Sequence, residues 1–437
     1  MRTPFMRGHT LSFTLLFLAG MCLSLAGCKG MAKGVTEAYF EAHKKEDSRK
    51  CYVRGRPFEG LEPFLAEQEG APAASRTDRR TLKVLMVHGI GSHAPGYSTR
   101  LAENLAGTFS LTQMQERDRM FTLSSPSALP GRELGVLRVS RYTNKAGTRE
   151  LVFVGELTWD PIVEKEKKSI AFDNSDEYSF RRASINNVLK TFVNDTIPDV
   201  VMYYGSSRLP IQASVQQALC WLMSKRWQDL PKEGTQYCDM MAPDFLSRID
   251  DNYIFITHSL GSRITTDALQ RITSIDDVRS SDRAKMFKKK RFTVYMLSNQ
   301  LPLLQLGWDA PAVSGKIEQI CRDRAPRSGE RMVQELRLVA FSDPNDLMSY
   351  AITPRYLDSN VDSRLCPTLT NVILNVAEVK NLFGAGTLAN PIEAHTEYEN
   401  DSRVIALIAR GIGNDWTAPE VQERCTWLEA LPDAEDR

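Results

Sequence analysis

The chain has 437 residues, of which 42% are hydrophobic and 25% are charged. These fractions are those of globular proteins, so they exclude a wholly disordered chain and a coiled-coil rod. Lys and Arg number 55 against 54 Asp and Glu, a balance without the basic excess that nucleic-acid binding requires. Only one apolar stretch approaches bilayer length, which excludes a polytopic membrane protein. At about 150 residues per domain, the length allows one large domain or two to three small ones.

The beginning of the chain has the pattern of a secretory signal. Arg2 and Arg7 precede an uncharged apolar run over residues 11–27. The run ends in Leu-Ala-Gly-Cys28, which resembles the lipoprotein box of bacteria. This resemblance implies that residues 1–27 are removed and that Cys28 is lipidated, for example with palmitate. Lys29 after the cysteine then implies the outer membrane of a Gram-negative bacterium. A transmembrane anchor is the alternative, although the run is short for a span of about 20 residues.

The cysteines agree with export to an oxidising compartment. Of the eight cysteines, Cys22 leaves with the signal and Cys28 would be lipidated, so six remain for disulfides. Cys220 and Cys238 are the closest of these in sequence and are the favoured pair, although the sequence leaves the connectivity open. The absence of C-x-x-C spacing argues against a structural zinc site and against a thioredoxin-type redox pair.

Residues 28–80 are polar, and we predict a lipidated N-terminus and tether there. Beyond them, short apolar runs alternate with helical patterns. Strands are predicted at 82–87, 136–142, 150–159, 199–204, 252–257, 292–297, 336–341 and 371–376, and helices at 97–111, 211–227 and 404–412. The strands at 136–142 and 150–159 flank a turn sequence and predict a hairpin. The pattern indicates an α/β protein, with a mostly parallel central sheet covered by helices on both faces, in a domain over residues 81–437.

A serine follows the predicted strand at 252–257 and precedes a helical pattern. The sequence there is Thr257-His258-Ser259-Leu260-Gly261. A serine on a sharp turn between a strand and a helix has the geometry of a nucleophile elbow. The segment resembles the Gly-x-Ser-x-Gly motif of the α/β-hydrolase superfamily, with Thr257 in place of the first glycine. The alternative is a serine that only caps a helix.

A second motif follows the strand at 82–87 and reads His88-Gly89-Ile90-Gly91. It resembles the oxyanion loop of the same superfamily, in which two backbone N–H groups bind the oxygen of the tetrahedral intermediate. The resemblance implies that the amides of Ile90 and Leu260 supply these donors. It also implies that His88 holds the loop and moves no proton. A glycine turn after a buried strand is the alternative.

His395 is the candidate base. It is the only one of six histidines that lies beyond the serine motif, and the order in the superfamily is Ser, acid, His. The acid should lie in the loop after the strand at 336–341, which holds Asp343 and Asp346. Asp343 precedes a proline and can be explained as a turn residue. Asp346 is favoured because its position better resembles that of the family's acid.

These residues imply a serine hydrolase of the esterase or lipase type. Ser259 would attack an acyl ester, His395 would take its proton and the aspartate would orient the imidazole, with no metal or organic cofactor required. Apolar segments at 205–250 and 299–330 are candidates for a cap over an acyl pocket, and equally for ordinary core helices. The expected partners are a small-molecule or lipid acyl ester and, through the lipid anchor, a membrane, with no nucleic acid.

Two other functions are compatible with the same sequence features. One is an inactive α/β-hydrolase fold that serves as a binding or scaffold lipoprotein of the cell envelope. The presence of all three catalytic residue types in the expected order argues against it. The other is an acyltransferase, which would use the same residues with an acceptor other than water and which sequence alone does not distinguish from a hydrolase.

Overall fold

A computed structural model describes residues 50–70, 79–125, 132–274, 282–381 and 387–431. The described residues divide into two compact units, one formed by those up to 165 together with those from 199 onwards, and the other by residues 166–198. The predicted signal and all of residues 28–49, Cys28 included, lie outside the described residues. Within the described part, no helix combines the length and apolar character that crossing a membrane requires.

The larger unit is built on one twelve-stranded mixed sheet. The strands of the chain are β1 (Cys51–Gly55), β2 (Leu82–Val87), β3 (Thr112–Gln113), β4 (Arg119–Ser124), β5 (Glu133–Thr143), β6 (Glu150–Thr158), β7 (Thr235–Gln236), β8 (Asn252–His258), β9 (Arg291–Leu297), β10 (Glu335–Ser342), β11 (Pro367–Leu374), β12 (Lys380–Asn381), β13 (Thr387–Leu388) and β14 (Cys425–Leu428). The sheet order is β14-β1-β11-β10-β9-β8-β2-β6-β5-β4-β7, with β3 paired to β5, while β12 and β13 form a separate ribbon.

The helices are α1 (Glu62–Gly70), α2 (Thr99–Thr108), α3 (Glu164–Ala171), α4 (Ser184–Tyr204), α5 (Arg208–Ser224), α6 (Gly261–Ser274), α7 (Asp282–Phe287), α8 (Leu301–Leu304), α9 (Ile317–Cys321), α10 (Pro354–Asn360), α11 (Pro391–Thr396), α12 (Ser402–Arg410) and α13 (Pro419–Arg424). The predicted α/β class with a mostly parallel sheet is confirmed.

Six neighbouring strands, β6, β2, β8, β9, β10 and β11, run parallel in the centre of the sheet. Every residue of β2 is buried, as expected of a parallel strand that is covered on both faces. Side chains alternate between the faces. Leu85 and Val87 join a core cluster with α5 and α6, whereas Val84 and Met86 join a second cluster with α2 and α12. Because the six strands are parallel, their carboxyl ends all lie at the same edge of the sheet.

Most predicted strands are found, including the hairpin of β5 and β6, and the last one lies slightly earlier, at Pro367–Leu374. The strand predicted at 199–204 is wrong, because these residues form the end of α4. Tyr203 is fully buried whereas Val201 is 63% exposed, and both Val200 and Met202 pack against the core. A short apolar run fits either element by periodicity.

The folded part begins earlier than the sequence suggested, since two elements, β1 and α1, lie within the range 28–80 that was predicted as a tether. β1 pairs with β11 and with β14, and a disulfide joins Cys51 to Cys425. The strand has alternating buried and exposed residues, so it has no apolar run that would distinguish it from a polar segment.

The favoured disulfide, Cys220–Cys238, is confirmed, and a third bridge joins Cys321 to Cys366. The three bridges use all six cysteines that follow Cys28.

The smaller unit is described over residues 166–198. Asp173 is held there by Arg182 at 3.1 Å and by Lys190 at 3.0 Å. Large apolar side chains are exposed to solvent in this unit, among them Phe172 and Phe180, which is 77% exposed.

The segments considered as a cap contribute largely to the core. In the first segment, the four apolar side chains that suggested a cap are buried, namely Leu219, Trp221, Leu222 and Trp227, whereas Leu209 is exposed. In the second, Leu301 and Leu304 are buried, whereas Leu303 and Leu306 are exposed.

Candidate active site

Ser259 lies on a sharp turn between β8 and α6. Its φ is +54°, a left-handed conformation that is rare for a residue with a side chain and that marks a constrained position. The turn is held by the neighbouring strand, because the Ser259 N–H donates to the Leu297 carbonyl oxygen at 2.9 Å. The serine is therefore fixed at the carboxyl edge of the sheet.

Two glycines make this turn possible. A Cβ on Gly261 would lie 2.3 Å from the Val87 carbonyl oxygen, and a Cβ on Gly89 would lie 2.6 Å from the Cβ of Ser259. Atoms cannot approach so closely, so only glycine fits at either position. The loop after β2 and the loop after β8 are thus in direct backbone contact. Thr257 lies two positions before Ser259, and its hydroxyl lies 3.1 Å from that of Ser262, so it does not obstruct the turn.

His395 and Asp346 form a pair beside this turn. The Nδ1 atom of His395 lies 3.0 Å from Oδ1 and 3.1 Å from Oδ2 of Asp346. Ser298 completes the group, because its hydroxyl donates to Asp346 Oδ2 at 2.6 Å and lies 2.8 Å from His395 Nδ1. Burial alone would raise the pKa of Asp346, but His395 and the Ser298 hydroxyl outweigh it and lower that pKa below its usual value. The carboxylate is therefore ionised at neutral pH.

His258 connects the serine turn to His395. Burial, and secondarily the neighbouring imidazole of His395, lower the pKa of His258 to about 3. The ring is therefore neutral at neutral pH. Its Nε2 lies 2.7 Å from the His395 carbonyl oxygen, so that nitrogen carries the proton and donates it. His258 thus holds the backbone of the histidine that follows 137 positions later.

The reactive atoms of Ser259 and His395 have no hydrogen-bond partner among the described residues. Ser259 Oγ and His395 Nε2 are both buried, and no hydrogen bond joins them to each other or to any other described group. A free imidazole nitrogen can accept a proton once the hydroxyl turns towards it. Catalytic hydrogen bonds are often long before substrate binds, so this arrangement is compatible with proton transfer.

Two backbone amides near Ser259 also remain available. Within the described ranges, neither the Ile90 N–H nor the Leu260 N–H donates to a carbonyl or side-chain group of the protein. The loop that carries Ile90 is anchored by two carboxylates. Gly91 N–H donates to Asp199 Oδ2 at 2.7 Å, and His93 N–H donates to Asp160. The amides that flank the candidate nucleophile are thus held in place without being occupied.

Asp343, the other candidate acid, has different partners. Its Oδ2 accepts hydrogen bonds from the N–H groups of Val376 and Ala377, at 2.7 and 3.1 Å. Its Oδ1 accepts from the backbone and side chain of Asn345. This carboxylate connects the loop after β10 to the residues after β11 and does not reach His395.

His88 lies beneath the loop after β2, where its Nδ1 lies 2.9 Å from the Gly89 carbonyl oxygen and its Nε2 accepts the Trp159 N–H at 3.2 Å. Together with His93 and Asp160 it forms a cluster whose ligand atoms lie within 4.8 Å of one another. The two imidazoles stack, with centroids 4.2 Å apart and ring planes 25° apart. Metal ligands bind through lone pairs in the ring plane, and nearly parallel rings do not direct both lone pairs at one ion. We therefore interpret the cluster as support for the loop.

Two residues of the site are absent from the sequence predictions. Ser298 belongs to no motif. It directly follows the carboxyl end of β9, the strand next to β8, and a polar residue at that position is a sign of a functional site. The sequence pattern predicts a strand at Asp199, but this residue lies in α4. Its contact with Gly91 depends on that helix, which the pattern does not reveal.

A scan against protein-family models finds no match, and searches of curated proteins and of solved structures find none either.

Proposed function

We propose that the protein is a serine hydrolase of the α/β-hydrolase type that cleaves an acyl ester. The observation that carries the proposal is a pair of buried atoms, Ser259 Oγ and His395 Nε2, that have no hydrogen-bond partner among the described residues. The opposite nitrogen of His395 is held by Asp346. An imidazole that is oriented on one side and free on the other is the arrangement of a general base.

In the proposed reaction, Ser259 Oγ attacks the ester carbonyl carbon while its proton passes to His395 Nε2. The tetrahedral intermediate then collapses, the bond to the alcohol breaks, and the alcohol leaves with the proton from His395. Water then attacks the carbonyl carbon of the acyl-enzyme and gives a proton to His395. The bond to Ser259 Oγ breaks, the acid departs, and the serine oxygen takes the proton back from His395. Asp346 stabilises the imidazolium in both steps. The residues described require no metal or organic cofactor for these steps.

The oxyanion of both intermediates would be bound by the N–H groups of Ile90 and Leu260. Donors are effective in this role when they are fixed before the reaction and are not used elsewhere. The anchoring of the loop through Gly91 and Asp199 at 2.7 Å supports such preorganisation. Gly89 and Gly261 supply the close backbone approach, and His88 and His258 hold the loop and the base.

We also propose that Cys28 is lipidated and attaches the protein to a membrane of the cell envelope. The sequence 25–28 and the preceding apolar run support this. The exposed aromatic side chains of Phe172 and Phe180 suit a protein that is held at a lipid surface. A lipid or other apolar acyl ester is then the substrate class that such a location would present.

The test is labelling with a fluorophosphonate, followed by hydrolysis of p-nitrophenyl esters of graded chain length. We expect labelling of the wild type and none of Ser259→Ala. In subtilisin, removal of the nucleophile costs about 10⁶ in kcat, and we expect a loss of that order here. Ser262→Ala is the matched control, since the hydroxyl of this nearby serine is paired with that of Thr257 at 3.1 Å. A fully active Ser259→Ala would refute the proposal.

One observation favours a second candidate, a binding protein of the cell envelope with the same fold. Ser259 is fully buried and has no hydrogen bond to His395, so the triad is not assembled in this structure. The binding-protein hypothesis predicts a folded wild type that neither reacts with the fluorophosphonate nor hydrolyses any ester. An acyltransferase would instead react with the probe and consume ester faster when an alcohol acceptor is added.

A further inference from the structure

A small cleft lies at the amino edge of the central sheet, at the opposite end of the strands from Ser259. It borders the start of β2, β6 and β8, where the Asn252 N–H donates to the Thr81 carbonyl oxygen at 2.9 Å. Ser259 and the loop of Ile90 follow the carboxyl ends of β8 and β2. Since β2 has six residues at about 3.3 Å each, roughly 20 Å separates the cleft from the candidate active site.

The cleft is strongly cationic. Six of its lining side chains are basic, and they are Arg79, Arg80, Lys83, Arg141, Arg226 and Arg248. Glu150 is the only carboxylate among the described lining residues. Asp251 pairs with Lys83 and Arg248, and Glu67 pairs with Arg80. When Asp251 and Glu67 are counted with Glu150, the six basic side chains still outnumber the carboxylates two to one.

Three of the basic side chains are held in place by short contacts. Lys83 Nζ lies 2.8 Å from Asp251 Oδ2 and donates to the Leu222 carbonyl oxygen at 2.6 Å. Arg79 Nη1 donates to the Thr148 carbonyl oxygen at 2.6 Å, and Arg141 Nε donates to Glu150 at 2.8 Å. Burial lowers the pKa of Lys83 despite its carboxylate partner. These three charges are therefore preorganised, and that of Lys83 lies in a poorly solvated place, where the attraction of an anion is strong.

The size of the cleft limits the ligand. Its volume is about 150 Å³, which corresponds to roughly five water molecules at about 30 Å³ each. This accommodates a phosphate-sized group. Planar guanidinium groups match the oxygens of phosphate in a bidentate manner and keep their charge at all physiological pH values.

We propose that this cleft is a second site, which binds a phosphate group. The phosphate is either free or the headgroup of a phospholipid. The site is independent of the proposed hydrolase activity, because no cleft residue contacts Ser259, His395 or Asp346 in the described hydrogen bonds and ion pairs.

Isothermal titration of the full chain at constant ionic strength tests the proposal. One arm uses inorganic phosphate and the other uses dihexanoyl phosphatidic acid below its micelle concentration. We expect saturable binding in at least one arm, and the tighter arm identifies the source of the phosphate.

The variant is Arg80→Gln with Arg226→Gln, since neither side chain is buried and the fold should survive. Arginine donates charge-assisted hydrogen bonds to phosphate, so we expect Kd to rise at least tenfold when both side chains are replaced. The matched control is Arg322→Gln with Arg324→Gln, which removes two exposed arginines outside the cleft and should leave Kd unchanged. Absence of binding in both arms, or an equal loss in the control, would overturn the proposal.

Discussion

A methyl group on Gly89 tests the proposed role of the loop after β2 as an oxyanion loop. A Cβ at this position would lie 2.6 Å from the Ser259 Cβ, 2.8 Å from the His258 carbonyl oxygen and 3.1 Å from Ser259 Oγ. Carbon atoms pack favourably at about 3.5–4.0 Å, so the loop must retreat by about 1 Å. Ile90 is the next residue, and its N–H would move away from the oxyanion together with the loop.

The expected effect is on kcat. Loss of one oxyanion donor costs about 10²–10³ in kcat, and we expect Gly89→Ala to lower the rate of hydrolysis of a soluble ester by that amount. KM should change little, because the ground-state carbonyl depends less on these donors than the oxyanion does. Steady-state kinetics with a p-nitrophenyl ester measures both, and fluorophosphonate labelling of Ser259 should slow in parallel.

Gly107→Ala is the matched control for this variant. Gly107 lies in α2, and a Cβ there would meet nothing within 4 Å. Because Ala is favoured over Gly in a helix by about 1 kcal/mol, the control should keep full activity and melt at a slightly higher temperature. If Gly89→Ala has a native near-UV circular dichroism spectrum and full kcat, the loop of Ile90 has no role in the chemistry.

Three further predictions concern the residues around His395. Ser298→Ala removes a hydrogen bond to a charged carboxylate, so kcat should fall by about 10–100-fold. Without this donor the Asp346 carboxylate becomes more basic, so the acidic limb of the pH profile of kcat/KM should also move to higher pH. If the pH profile is unchanged, Ser298 has only a structural role. Asp346→Asn should lower kcat by about 10⁴, whereas Asp343→Asn should mainly lower the melting temperature; the reverse pattern would identify Asp343 as the acid. The folded pKa of His258, about 3, lies below that of the unfolded chain, about 6.5. The unfolded chain therefore binds the extra proton in this window, and stability should fall as pH drops from 6.5 towards 3. In His258→Gln this part of the pH dependence of the melting temperature should be absent.

The central strands could be predicted because they are buried on both faces. Residues 82–87 and 252–257 are nearly continuous apolar runs, and the structure has strands there. β1 could not be found in this way, since only alternate residues face the core and its partners, β11 and β14, are more than 300 positions away. Residues 199–204 form an apolar run of the right length, but the helix that contains them begins at Ser184.

Residue type and chain order were enough to select candidate residues that the structure brings together, since His395 and Asp346 form a hydrogen-bonded pair. His395 could be selected because histidine is rare in this chain, and Asp346 because aspartate in a loop after a strand is the expected form of a triad acid. Asp343 could not be set aside from the sequence, since its role depends on N–H groups at Val376 and Ala377. Such contacts depend on how two loops pack, which local sequence does not specify.

The position of Ser298 has a physical explanation in the parallel strands themselves. Both Ser259 and Ser298 directly follow the ends of neighbouring strands, and their φ values are +54° and +51°. Each turn is tied to the next strand, since Ser259 N–H donates to the Leu297 carbonyl oxygen and Asn299 N–H donates to the Phe341 carbonyl oxygen. Left-handed conformations of this kind persist only where the surrounding structure imposes them. The sheet therefore imposes two adjacent sharp turns, of which the first presents the candidate nucleophile and the second presents the hydroxyl that orients Asp346 against His395.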